Sequence, residues 1–229
     1  MTGELSQSEV VVHGIKELIL AGDLVAGAKL PPEKDLAPRL GVSRGSLREG
    51  VRALCSMGVL ETRHGAGTFV TSLDPSLLLA PMGFVVDLQH ESQAADIHAV
   101  RRTLEIEAVG RAALRITDTE LREADAILNE ADEAVSRTDH EKVIDCDQRF
   151  HSLIAKASGN PILAALIEAI SSRTIIDRMQ RAKEDEQADR RSAVEHRSVL
   201  LALESRDPDV ARIRMSSHLL DVERSVYKS

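Results

Sequence analysis

Apolar and polar positions divide this chain into two rhythms. Up to about residue 71, short helical patterns alternate with turns and end in two β-prone runs, whereas beyond about residue 75 the pattern is helical throughout. Val11, Ile15, Leu18 and Ile19 recur at helical spacing, which predicts a helix from Ser6 or Ser8 to about Ala21, closed by Gly22. After an extended Leu24–Leu30, Pro31-Pro32 open a short helix Glu33–Leu40 that buries Leu36 and Leu40 and is shortened or bent by Pro38. Gly41-Val42-Ser43 forms a three-residue corner, because Gly accepts the positive φ that ends one helix and Ser caps the next. Leu47, Val51 and Leu54 give the next helix its core face, and Gly58 stops it. Val59–Thr62 and Thr68–Thr71 then flank a tight basic tip, Arg63-His64-Gly65-Ala66-Gly67, so a two-stranded wing follows the helix-turn-helix.

Ser72-Leu73-Asp74-Pro75 reads as the boundary, which separates residues 1–73 from 74–229. Leu77–Gln89 is apolar nearly all round and is expected to lie buried or to bridge two subunits. Asp96–Leu114 is expected to turn Val100, Leu104 and Ala108 inward. Thr117-Asp118-Thr119-Glu120 is a capping box that opens Asp118–Val135, and Asp139–Ser158 follows. Gly159-Asn160-Pro161 ends that helix and starts Ile162–Lys183, after which Asp189–Ser205 and Pro208–Tyr227 complete the set. Short connections between long helices make an antiparallel bundle. The fold class is therefore mainly α: an N-terminal winged helix-turn-helix plus a C-terminal antiparallel all-α bundle.

Composition narrows the functional classes. Hydrophobic residues make up 43% of the 229 but aromatics only 2%, so both cores must be aliphatic. No apolar run reaches membrane-span length and no cleavable signal opens the chain, so a cytoplasmic protein without membrane contact is expected. Cys55 and Cys146 form no CxxC pair and read as reduced, near-core residues. The net charge of −8 argues against nucleic acid until its distribution is considered. Residues 1–71 hold eight of the 29 basic and eight of the 37 acidic residues, so the whole acidic excess lies beyond them. Between Arg44 and His64, four Arg face only Glu49 and Glu61. Arg44, Ser46, Arg48 and Arg52 fall on the opening turns and outer face of the second helix of the corner. An Arg fork reads guanine O6 and N7, while Ser hydroxyls and helix-start amides hold phosphate. Double-stranded DNA is the partner this chemistry serves, with local, salt-dependent binding; a helix pair with a solvated basic face is the plainer alternative.

A second constellation lies in the bundle. Asp147 and His151 are four apart and share a helix face, while His196 and His218 sit among apolar neighbours on the last two helices. Three imidazoles and a carboxylate suit a divalent ion, zinc first, with nickel, cobalt or manganese served by the same donors. Spacing alone also allows capped or surface-facing positions for all four. His13, His90, His98 and His140 lack partners at ligand spacing and read as surface or half-buried residues, and Cys146 points about 100° away from Asp147. Such a site activates water in metal-dependent enzymes, so an enzyme with an appended DNA-binding module is the alternative function. Against it, the sequence offers no convincing general base, nucleophile motif or phosphate loop.

The residues also carry a family resemblance. From Ile15 to Val70 the chain resembles the winged-helix domain of the GntR family of bacterial transcription regulators, through Gly27-Ala28-Lys29-Leu30-Pro31, Val42-Ser43-Arg44, Leu47-Arg48-Glu49 and Gly65-Ala66-Gly67-Thr68-Phe69-Val70. Lys34 stands where that family usually has a DNA-touching Arg. The implied DNA-binding set is Lys34, Ser43, Arg44, Ser46, Arg48, Arg63, His64 and Gly65. Residues from about Asp96 to His218 resemble the all-helical FCD effector domain of the FadR branch, through Val100-Arg101-Arg102-Thr103-Leu104-Glu105, Asp147-Gln148-Arg149-Phe150-His151, Glu195-His196-Arg197 and His218-Leu219. The resemblance implies a divalent metal on Asp147, His151, His196 and His218, with Arg101 holding an anionic effector. It further implies a homodimer on a palindromic operator and a repressor released by a small carboxylate or sugar acid.

Overall fold

A reciprocal cap fixes the start of the first helix. In the computed structural model, which describes residues 5–89, 93–171, 185 and 187–226, Ser6 Oγ accepts from Glu9 N while the Glu9 carboxylate accepts from Ser6 N at 2.7 Å. Helix α1 (Gln7–Leu20) buries Val11, Ile15 and Leu18. Helix α2 (Glu33–Leu40) has no side-chain cap because Pro32 occupies that position, and it ends on Gly41 in the left-handed conformation. Ser43 then caps α3 (Arg44–Ser56) by accepting from Ser46 N. Strands β1 (Leu60–Arg63) and β2 (Gly67–Val70) pair antiparallel with Leu60 opposite Val70, and the backbone of 28–30 pairs with the other edge of β2. Val11, Ile15, Leu36, Leu47, Leu54, Leu60 and Val70 fill the core between these elements, each fully buried aliphatic side chain contributing roughly 1.5–3 kcal/mol.

Compactness divides the chain into units of 1–78 and 79–229, a division that falls inside α4 (Pro75–Asp87). The second unit contains α5 (Ala94–Ala113), α6 (Asp118–Ser136), α7 (His140–Ala157), α8 (161–171 as described), α9 (Ala188–Glu204) and α10 (Pro208–Val226). The remainder of the expected Ile162–Lys183 helix lies outside the described residues, as does His90. The Thr117–Glu120 capping box forms with both reciprocal bonds. Asn160 Oδ1 caps α8 by accepting from Leu163 N. The core is aliphatic around one aromatic ring, with Phe150 packed among Val109, Leu128, Ile154, Val199, Leu203, Met215 and Leu219. Arg197, on α9, ties that helix to α6 through Asp125 at 2.6 Å, Asn129 at 2.6 Å and Asp132 at 2.7 Å.

One helix face differs from expectation. Helix α5 turns His98, Arg101, Glu105, Ala108 and Ala112 inward, and Val100, expected in the stripe, is exposed. These inward positions are three or four apart and so share one face; periodicity missed them because Arg101 and Glu105 satisfy each other and tolerate burial. His98 is correspondingly buried rather than at the surface. Helix α4 buries Val86 but leaves Leu77, Phe84 and Val85 about half to two-thirds exposed, so of the two expectations burial within its own chain is only partly met.

Gly50 is where α1 and α3 approach closely. A Cβ there would lie 2.5 Å from Val11 Cβ and 3.0 Å from Ser8 O, both backbone-anchored atoms. Gly50→Ala is therefore expected to destabilise by about 1–2 kcal/mol through overpacking, despite the better helix propensity of Ala. Gly45→Ala, whose Cβ meets only Ser43 Oγ at 3.6 Å, should be neutral or stabilising. Denaturant unfolding of both variants checks the opposite signs.

Candidate functional site

Helix α7 places Asp147 and His151 one turn apart, and α9 and α10 bring His196 and His218 opposite them. All four are buried, with exposures of 5%, 4%, 4% and 0%, and one ligand atom from each lies within 4.8 Å of every other. His196 Nε2 is 3.2 Å from His151 Nε2, 3.1 Å from His218 Nε2 and 3.2 Å from Asp147 Oδ1. Nitrogens bound at about 2.1 Å to one ion stand roughly 3.0–3.4 Å apart across right to tetrahedral angles, so these separations fit a shared ion. Phe150 packs against the rings of His151 and His196 at centroid distances of 5.9 and 5.1 Å, which restricts their rotation.

The outer nitrogens of two imidazoles are held by carboxylates. His151 Nδ1 donates to Glu105, and His218 Nδ1 donates to Glu195 at 2.8 Å. Each bond selects the Nδ1–H tautomer and turns the Nε2 lone pair toward the centre. Converging lone pairs repel one another without a cation, so the donor set fits a divalent metal. A cavity of about 30 Å³ beside Asp147 and His196, bordered also by Asp189 and Ser192, is the size of about one water. His140, expected to lack ligand-spaced partners, is half-buried and bonded to Asp189 at 2.6 Å. Cys146 packs in the core, where burial pushes its thiol pKa up.

Arg101 sits at the edge of this cluster, 2% exposed, with Nε donating to Glu105. Its Nη1 is buried and has no hydrogen-bond partner among the described residues. Burial works to raise the Glu105 pKa, but the charge of Arg101 and the contact with His151 outweigh it and hold the carboxyl well below the usual range. Sequence reasoning assigned no role to Glu105 or Glu195. Glu105 is four residues after Arg101, a spacing that also describes ordinary solvated ion pairs, so the pattern alone did not separate the two cases.

The other expected residues collect in the first unit. Lys34 is exposed on α2, and Arg44 and Arg48 are exposed on α3. The hydroxyls of Ser43 and Ser46 lie 2.9 Å apart at the α3 N-terminus. Arg48 forms a two-pronged bond to Glu33, 2.9 Å at each oxygen, which raises the Arg48 pKa and lowers that of Glu33. At the wing, Arg63 bonds to Glu61 and lies 4.5 Å from the Phe69 ring centre, while His64 and Gly65 are exposed at the tip. In the free protein, two of the expected DNA-reading guanidiniums are thus stored on neighbouring carboxylates.

Residues 7–70 match the family described as bacterial regulatory proteins, gntR family, and residues 96–221 match the FCD domain, which is more than half the chain. The chain belongs to the GntR family. It is a transcription regulator of the GntR type with an FCD domain. The HTH-type transcriptional regulator YcbG of Bacillus subtilis (strain 168) is 31% identical over 95% of this chain and 89% of its own length. The Glc operon transcriptional activator of Escherichia coli (strain K12) is 28% identical over 96% of this chain and 88% of its own length. A solved structure described as Streptococcus agalactiae GntR matches with a TM-score of 0.73 and 30% identity, over 95% of this chain and 99% of that one. No described helix is long and apolar enough to cross a membrane.

The cluster geometry sets a direct expectation for metal content. Purified protein should carry about one equivalent of divalent metal, and His196→Ala or His218→Ala should abolish stoichiometric metal because three donors hold a labile ion far less well. Elemental analysis of the purified variants reads this.

Proposed function

We propose that this regulator is a metabolite-responsive repressor that binds a palindromic operator as a homodimer and is released by a small carboxylate or sugar acid. Residues 1–73 bind DNA, and residues 74–229 sense the effector and dimerise. The observation that carries the reading is the buried convergence of three imidazole nitrogens and Asp147 beside Arg101, whose Nη1 has no partner among the described residues. Asp147, His151, His196 and His218 would hold a divalent metal, zinc first among nickel, cobalt and manganese, which supplies a Lewis-acidic contact for an anion. Arg101 pairs with the effector carboxylate, a charge-assisted bond that its free N–H can make without displacing Glu105. The alternative of a metal-dependent enzyme loses ground because both matched domains and the curated relatives belong to transcription regulators.

On DNA, the α3 N-terminus enters the major groove. Arg44 and Arg48 read base edges, Ser43, Ser46 and Lys34 hold phosphates, and Arg63, His64 and Gly65 of the wing reach the minor groove. One winged helix reads one half-site, so useful specificity calls for a two-fold pair. The exposed apolar residues Phe84 and Val85 of α4 supply part of the pairing surface. Effector binding shifts operator affinity only by its differential affinity for two arrangements of the dimer, and the non-helical 71–74 is where the chain can accommodate the change.

Arg44→Ala and Arg48→Ala should each weaken operator binding by about 1–3 kcal/mol without altering thermal unfolding; unchanged affinity in both would refute the assigned recognition helix. Arg101→Ala should keep its metal but lose effector-induced release, followed by operator anisotropy during a screen of hydroxy acids, sugar acids and dicarboxylates. Residues 76–229 alone should remain dimeric at micromolar concentration by sedimentation, and a monomer would contradict the proposed association surface.

A further inference from the structure

Glu105 touches both halves of the proposed sensing site. One of its oxygens accepts from Arg101 Nε on the same helix, and the other accepts from His151 Nδ1 on α7. The side chains of all three residues are 3% exposed, so none of the bonds is diluted by solvent. His218 has a similar arrangement with Glu195, but that carboxylate is 27% exposed. Of the two, the Glu105 bridge is the one sealed from water, and among the described residues it ties a candidate metal ligand to a guanidinium with an open donor.

We propose that Glu105 is the positioning residue that makes the metal centre and the anion site one unit. It fixes the tautomer and ring orientation of His151 so that Nε2 faces the other donors, and it anchors Arg101 by Nε so that Nη1 stays open. One carboxylate, bridging the two, thereby sets the spacing between the His151 ring and the Arg101 guanidinium. This inference rests on the metal-dependent reading above.

Replacing Glu105 alone leaves Arg101 as a buried unpaired charge and risks unfolding. The test therefore uses the double variant Arg101→Met/Glu105→Gln, with Arg101→Met and Glu195→Gln as comparisons, all in the full chain. Zn2+ affinity is measured by chelator competition, and the visible absorption of Co2+-loaded protein reports ligand geometry. The double variant should bind Zn2+ about 10–100-fold more weakly than wild type and show an altered Co2+ spectrum. Arg101→Met, in which Glu105 can still accept from His151 Nδ1, should lose less Zn2+ affinity than the double variant, and so should Glu195→Gln because water screens its bond. Wild-type affinity and spectrum in the double variant overturn the role of Glu105 while leaving the metal reading intact. Equal loss in Arg101→Met also overturns it, since the effect then comes from repacking around residue 101. A wild-type chain that binds no Zn2+ overturns both.

Discussion

Burying imidazole nitrogens with their lone pairs pointed at one another is the constraint on which the second unit turns. His196 Nε2 lies within hydrogen-bonding distance of the Nε2 atoms of both His151 and His218 in a region nearly closed to water. His151 and His218, whose Nδ1–H groups are committed to carboxylates, have no proton to offer that meeting while neutral, which suits a cation among the donors. The surrounding contacts follow from the same need. Glu105 and Glu195 set the tautomers of His151 and His218, Phe150 packs on the rings, and Arg101 balances the buried Glu105 charge. Arg197, next in sequence to His196, locks α9 onto α6 through three side chains. The position of His196 is thereby held from outside the cluster as well as within it.

The first unit solves a different problem with surface charge. The face proposed to read DNA keeps its cations from repelling one another in the free protein by pairing Arg48 with Glu33 and Arg63 with Glu61. These pairs are solvated and exchange readily, so contact with DNA can replace them. The acidic excess of the chain lies wholly beyond residue 71, in the part that carries the candidate metal centre. On the proposed reading, local charge, not net charge, governs where nucleic acid is met.

Much of this was legible in the sequence where local chemistry and fold agree. Ser43 and Thr117 cap the helices they were expected to cap, the first helix opens at Ser6, one of its two expected starts, Gly41 takes the left-handed turn, and α7, α9 and α10 bring Asp147, His151, His196 and His218 together. The inward face of α5 was not legible. A periodicity search assigns charged residues to solvent, and Arg101 and Glu105 are buried only because each neutralises the other. Glu195 was hidden for a related reason, since its partner His218 is 23 residues away and joined only by the fold. The apolar circumference of α4 was plain in the sequence, but whether it meets its own chain or another depends on packing that periodicity does not encode.

X-ray absorption at the zinc edge of the Zn2+-loaded chain tests the central claim most directly. The account predicts nitrogen and oxygen neighbours at about 2.0–2.2 Å, no sulfur, and the outer-shell scattering of three imidazole rings. A sulfur neighbour at about 2.3 Å, or the signature of fewer than three imidazoles, would place the ion elsewhere and contradict the assignment of Asp147, His151, His196 and His218 as one site.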